Sequence, residues 1–174
     1  MSDDPWRGAE VVRADPAATA ALPPGALPPD ALLLLTRHGV PAQVEGMFYR
    51  LGDPLLAERT IGGVRWYQLG TDETGHAGVY LARHGDGQVW HTADDGVTML
   101  FVNSSVPLFL MFLRRWHDFL EDFRDAGDDR RAVRHGRRLR RELRCADRPA
   151  LRTDAAWWAY VYEEVADGVR LPGD

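Results

Sequence analysis

The sequence predicts one α+β domain: a central, mostly antiparallel β-sheet covered by helices, with a helical C-terminal third. Three observations carry this. Between residues 47 and 102, short segments rich in β-branched and aromatic residues follow one another with no helical pattern between them. From Asn103 onward the apolar residues instead recur every three to four positions. The chain has 174 residues and is 45% hydrophobic, enough for one sizeable core and too apolar for a disordered chain.

Residues 1–21 are polar and alanine-rich, and read as an N-terminal extension with Val11 and Val12 as a short edge strand. The domain itself is expected over residues 22–170. LPPGALPPD (22–30) cannot be helix interior, because proline lacks the amide donor and clashes with the preceding turn. A short helix, ALLLLTRHG, follows and stops at Gly39, with Val40-Pro41 beyond. The strands are MFYRL (47–51), VRWYQLG (64–70), GVYLAR (78–83), QVWHTA (88–93) and TMLFV (98–102). His84-Gly85-Asp86-Gly87 is the clearest turn, since its glycines permit positive φ between two alternating strands. Short connections without helices imply an antiparallel meander.

Ser104 or Ser105 then caps a helix with Pro107 in its first turn. Its stripe of Leu108, Phe109, Phe112, Leu113, Trp116, Phe119, Leu120 and Phe123 is wide enough to cover a sheet face. Gly127-Asp128-Asp129 separates it from a second helix with a narrow seam of Ala132, Gly136, Leu139, Leu143 and Ala146. A third helix near Asp154 to Asp167 buries Trp158, Val161, Tyr162 and Val165 and stops at Gly168.

Most catalytic classes lack their residues. The only serines are Ser2, Ser104 and Ser105, and no GxSxG elbow exists. All 21 basic residues are arginine, so P-loop and Schiff-base chemistry, both of which need lysine, are excluded. The lone Cys145 forms neither an intramolecular disulfide nor a CxxC pair. His76, His84 and His91 lie in or beside the strands, with Asp86, Asp94 and Asp95 nearby, and His91 with Asp94 is the best metal pair available. It lacks converging further ligands, so surface imidazoles flanking a hairpin are the favoured reading and no metal or cofactor is expected. No apolar run, Ala31 to Leu35 included, comes near the roughly 20 residues of a membrane helix. The first residues, with Asp3 and Asp4, carry no basic-then-apolar secretory pattern, so a cytoplasmic protein with no membrane partner is expected.

Charge is the most uneven property. From Asp128 to Arg148, nine arginines face four carboxylates, a local balance of +5, so the remainder of this −5 chain carries about −10. The functional reading of residues 130–144 is phosphate binding by a nucleic-acid-binding regulatory module. The favoured reading is a solvated helix paired with the acidic body, because the segment has no aromatic residue for stacking and the whole chain is acidic. Direct nucleic-acid binding is therefore not expected. Trp157 falls outside the buried stripe that claims Trp158, together with Tyr160, and is available as an aromatic anchor.

The order of these motifs resembles a known family. A short leucine helix ends in Arg37-His38-Gly39-Val40-Pro41, followed by Gly46-Met47-Phe48-Tyr49, VRWYQLGTD, the hairpin GVYLARHGDGQVWHTAD and FVNSSVPLFLMFL. Arg152-Thr153-Asp154-Ala155-Ala156-Trp157-Trp158 then precedes the last helix. Over about residues 22–170 this resembles the SUKH superfamily of bacterial immunity proteins, in particular its fourth group. The resemblance implies an α+β fold, no catalysis and no cofactor. It implies stoichiometric binding to a cognate polymorphic toxin, a nuclease or deaminase acting on nucleic acids, by blocking its active site or substrate channel. No catalytic residue is carried over. On electrostatic grounds the loop acids Asp72, Glu73, Asp86, Asp94 and Asp95, with Trp157 as an anchor, are the candidate partner-binding residues, because a nucleic-acid-gripping toxin presents a basic cleft.

Overall fold

The computed structural model describes residues 6, 8–45, 47–49, 54–72, 78–92, 96, 98–124, 129–152 and 156–169. Strands β1 (Val11–Val12) and β2 (Val40–Pro41) pair antiparallel as a two-stranded ribbon. Trp6 and Ala14 join the hydrophobic core beside it, which ties the N-terminal segment to the rest of the fold. Helix α1 (Pro16–Ala20) is a single turn capped by Asp15, and α2 (Pro29–Arg37) buries Ala31 and Leu35.

The main sheet is antiparallel throughout and runs β3 (Gln43–Val44), β4 (Phe48–Tyr49), β6 (Val64–Thr71), β7 (Val79–Arg83), β8 (Val89–Thr92), β9 (Met99–Asn103). The predicted meander is its β6–β9 portion. Strand β5 (Glu58–Ile61), absent from the sequence prediction, pairs with the first half of β6, while β4 meets the far end of β6 at Thr71. Its side chains Glu58, Arg59 and Thr60 are exposed, so no apolar alternation marks it as a strand. Between β7 and β8, Gly85 and Gly87 take φ of +93° and +66°, which is what the tight turn requires.

One sheet face carries Tyr67, Leu69, Tyr80, Ala82, Val89 and Val102 into the main core. The other face is crossed by an edge-to-face aromatic rib: the Trp66 and Trp90 ring centroids are 6.4 Å apart, and those of Trp90 and Phe101 are 5.3 Å apart. Helix α3 (Val106–Phe123) covers the core face. Ser105 caps it by accepting a hydrogen bond from the Leu108 amide at 3.3 Å, and Phe109, Phe112, Leu113, Trp116, Phe119, Leu120 and Phe123 are buried along one side. Leu108, at the edge of that stripe, is only half-buried. Helix α4 (Asp129–Ala146) buries Ala132, Gly136, Leu139 and Leu143, whereas Ala146 at the end of the expected seam is exposed. A short 3-10 turn (Pro149–Leu151) leads on to helix α5 (Trp157–Ala166), which buries Trp158, Ala159, Val161, Tyr162 and Val165.

A buried polar clasp joins these helices to the sheet. The Asp147 carboxylate, 2% exposed, accepts hydrogen bonds from Asn103 Nδ2 at 3.0 Å, the Ser104 amide at 2.9 Å and Ser104 Oγ at 2.8 Å. Asn103 Oδ1 in turn accepts from Trp158 Nε1 at 2.9 Å. The end of β9, the start of α3, the residue after α4 and the start of α5 are thus held by one network.

Tyr162 is the opposite case. Its hydroxyl is buried with no hydrogen-bond partner among the described residues, and burial raises its pKa so that it stays neutral. Tyr162→Phe should therefore keep or raise stability, by up to about 1 kcal/mol, because it removes an unsatisfied buried group without opening a cavity. A lowered midpoint in urea would contradict this.

Candidate partner-binding site

In the antiparallel meander, the end of β6, the start of β7, the end of β8 and the start of β9 lie at one end of the sheet. Asp72 leaves β6 there, and its amide donates to the Gly78 carbonyl at 3.0 Å. His91 stands on the core face of β8 and is 3% exposed, in place of the surface imidazole expected from the sequence. The reason is strand alternation: Val89 and His91 both point inward, and the position between them points out. The His91 Nε2 atom lies 3.6 Å from Asp72 Oδ2.

Trp157, at the start of α5, stacks on His91 with ring centroids 4.5 Å apart and planes 25° from parallel. Tyr80 meets the imidazole from another side at 4.7 Å and donates its hydroxyl to the Met47 carbonyl at 2.8 Å. Gly78 makes this packing possible, since a Cβ there would overlap the His91 ring and stand 2.5 Å from Asp72 Oδ2. A partly exposed carboxylate thus stands at the Nε2 edge of the imidazole, and a half-buried indole covers its face.

The sequence nominees thus separate. Asp72 and Trp157 converge through His91. Glu73, Asp94 and Asp95 lie outside the described residues, as does His76. Asp86 belongs to the β7–β8 turn at the opposite end of the sheet, where it takes a side-chain hydrogen bond and ion pair from Arg83 and caps the Gln88 amide at 3.1 Å. The Arg83 hydrogen bond holds the Asp86 carboxyl below the usual aspartate range, with Gln88 assisting. A depressed folded-state pKa adds stability above the ordinary aspartate range, and that stability is lost as pH falls through the depressed value. An NMR titration should therefore show Asp86 titrating low in the native chain and returning toward its ordinary value in Arg83→Gln.

His91 is the residue that sequence reasoning missed as a hub; its position among alternating inward residues was the available signal. Asp147 was also missed, counted only as one acid among arginines. Nothing local identifies its partners, which lie 43 and 44 residues away. Among the described residues, no three His, Cys, Asp or Glu side chains are grouped to hold a metal ion, and no helix is long and apolar enough to cross a membrane.

A family model described as SUKH-4 immunity protein matches residues 4–164. No curated protein and no solved structure matches the chain. The family match begins before β1 and runs into α5, so it includes the ribbon, the whole meander, the Asp147 clasp and both Asp72 and Trp157. By that match this chain belongs to the SUKH-4 immunity protein family.

Proposed function

We propose that this protein is the cytoplasmic antidote to a co-encoded toxin that attacks nucleic acid, a nuclease or deaminase. It binds the toxin domain one to one, without turnover, and covers its active site or substrate channel. The observation that carries this reading is the pairing of Asp72 with Trp157 on His91 at one end of the sheet. A carboxylate enters the basic cleft of a nucleic-acid enzyme as a phosphate substitute, and a half-buried indole on the same imidazole offers the large, rigid contact area that interface anchors need. Glu73, Asp94 and Asp95 belong to the same proposed surface by their place in the chain, next to β6 and between β8 and β9.

Co-expression with the toxin domain encoded next to it tests the reading. Growth should be rescued, and calorimetry should give a one-to-one complex. Asp72→Arg with Trp157→Ala should weaken that complex at least about 100-fold, chiefly by faster dissociation, with the far-end variant Asp86→Asn near wild type. Absence of rescue and of any complex would refute the proposal. A complex unaffected by the Asp72 and Trp157 changes would move the interface elsewhere.

A further inference from the structure

Helix α4 has eighteen residues, and only Ala132, Gly136, Leu139 and Leu143 are buried. At about 100° per residue these four fall within an arc of about 60°, so most of the helix circumference stands clear of the core. Arg130, Arg134, Arg137, Arg141 and Arg144 are all exposed and recur at spacings of four, three, four and three. That spacing places them within about 80° of arc, opposite the buried seam and along about 21 Å of helix. Arg131 and Arg138 flank the ridge on the side of α3, where Arg131 lies 5.6 Å over the Phe123 ring.

The acidic body does not neutralise this ridge, contrary to the favoured sequence reading. Arg138 pairs with Glu142 of its own helix at 2.9 Å, and Arg137 donates to the Ala166 carbonyl at 3.0 Å. Among the described residues, Arg130, Arg134, Arg140, Arg141 and Arg144 have no acidic side chain within 4.0 Å. Like charges three and four residues apart repel along the helix, and only an anionic partner or counterions relieve that repulsion.

The chemistry of the ridge selects the partner. Protein interfaces draw most of their energy from a desolvated centre built on Trp and Tyr anchors, and Arg contributes strongly where it is buried among them. Among the described residues the exposed large apolar side chains are Leu33, Val64, Tyr160 and Val169, and α4 carries none of them. A polyphosphate needs no such anchor, because its affinity comes from released counterions. The lack of aromatic residues on α4 also disfavours stacking on single-stranded bases. An α-helix with its side chains is about 10–12 Å across, close to the roughly 12 Å B-form major groove, whereas the major groove of duplex RNA is too narrow. We infer that α4 is a docking ridge for the phosphate backbone of duplex DNA, a second partner independent of the proposed toxin.

The test is fluorescence anisotropy of the full chain with a labelled 20-base-pair DNA duplex between 50 and 200 mM salt. With four or five phosphates neutralised, log K should fall against log salt with a slope of about −3.6 to −4.5, a loss of about 150- to 500-fold across that range. Arg134→Glu with Arg141→Glu should weaken binding more than tenfold at 50 mM salt and flatten the slope by about 2. Should that variant unfold, Arg134→Gln with Arg141→Gln replaces it, with the same direction of change. No salt-dependent DNA binding at 50 mM overturns the inference. So does equal or tighter binding of an RNA duplex or of poly-L-glutamate, or a dimer in light scattering that the arginine changes abolish.

Discussion

Asp147→Ala should destabilise the protein by about 3–4 kcal/mol, which for a domain of this size is a large share of the total. The alanine removes the acceptor for three hydrogen bonds at once and leaves Asn103 Nδ2, the Ser104 amide and Ser104 Oγ facing a space that no other group fills. Each orphaned donor forfeits its exchange with water, and the Asn103 group is fully buried. The loss also reaches α5, because Asn103 Oδ1 holds Trp158 Nε1. Asp147→Asn should cost less, about 1–2 kcal/mol, since it keeps the shape and one acceptor while aiming an amide at existing donors. Urea titration checks both; the midpoint should fall with little change in slope. A fall below about 1 kcal/mol for Asp147→Ala would show that the clasp is not a stabilising network.

Gly136→Leu should be the second large effect, about 3 kcal/mol of destabilisation. A Cβ at this position would overlap the Val165 Cγ1 of α5, with Phe119 Cζ only 3.9 Å away on another side. Val165 is fully buried, so it has no solvent to move into. Gly136→Ala separates packing from helix propensity by sign. In an open helix it would stabilise by about 1 kcal/mol, whereas here it should destabilise by about 1–2 kcal/mol. Adding Val165→Ala to Gly136→Ala should recover part of that loss if the two side chains share the space. Stabilisation by Gly136→Ala alone would mean that α4 does not sit against α5 this closely.

Features encoded by short periods were readable from the chain. The Ser105 cap, the stripe of α3, the seam of α4 and the stop at Gly168 depend on residues within a turn or two of one another. The four strands of the meander were legible for the same reason. Strand β5 was not, because Glu-Arg-Thr-Ile is an edge segment whose exposed side chains carry no apolar alternation. The site was legible only as separate residues. Asp72 and Trp157 were each nominated for charge or exposure, but their meeting on His91 spans 85 positions and depends on how α5 lies on the sheet.

By itself, therefore, the sequence determined the α+β class, the order of most elements and the reaction classes that have no residues to support them. Tertiary structure alone decided that Asp72 and Trp157 share one end of the sheet while Asp86 sits at the other. It also decided that the Asp147 network ties β9, α3, α4 and α5 together, and that Arg130, Arg134, Arg141 and Arg144 face outward with no acidic side chain of the described residues within 4.0 Å. The physical reason is range. Caps and periodic apolar faces are set by contacts a few residues apart, whereas each of these outcomes depends on side chains more than forty positions apart or on elements that meet only when the core closes.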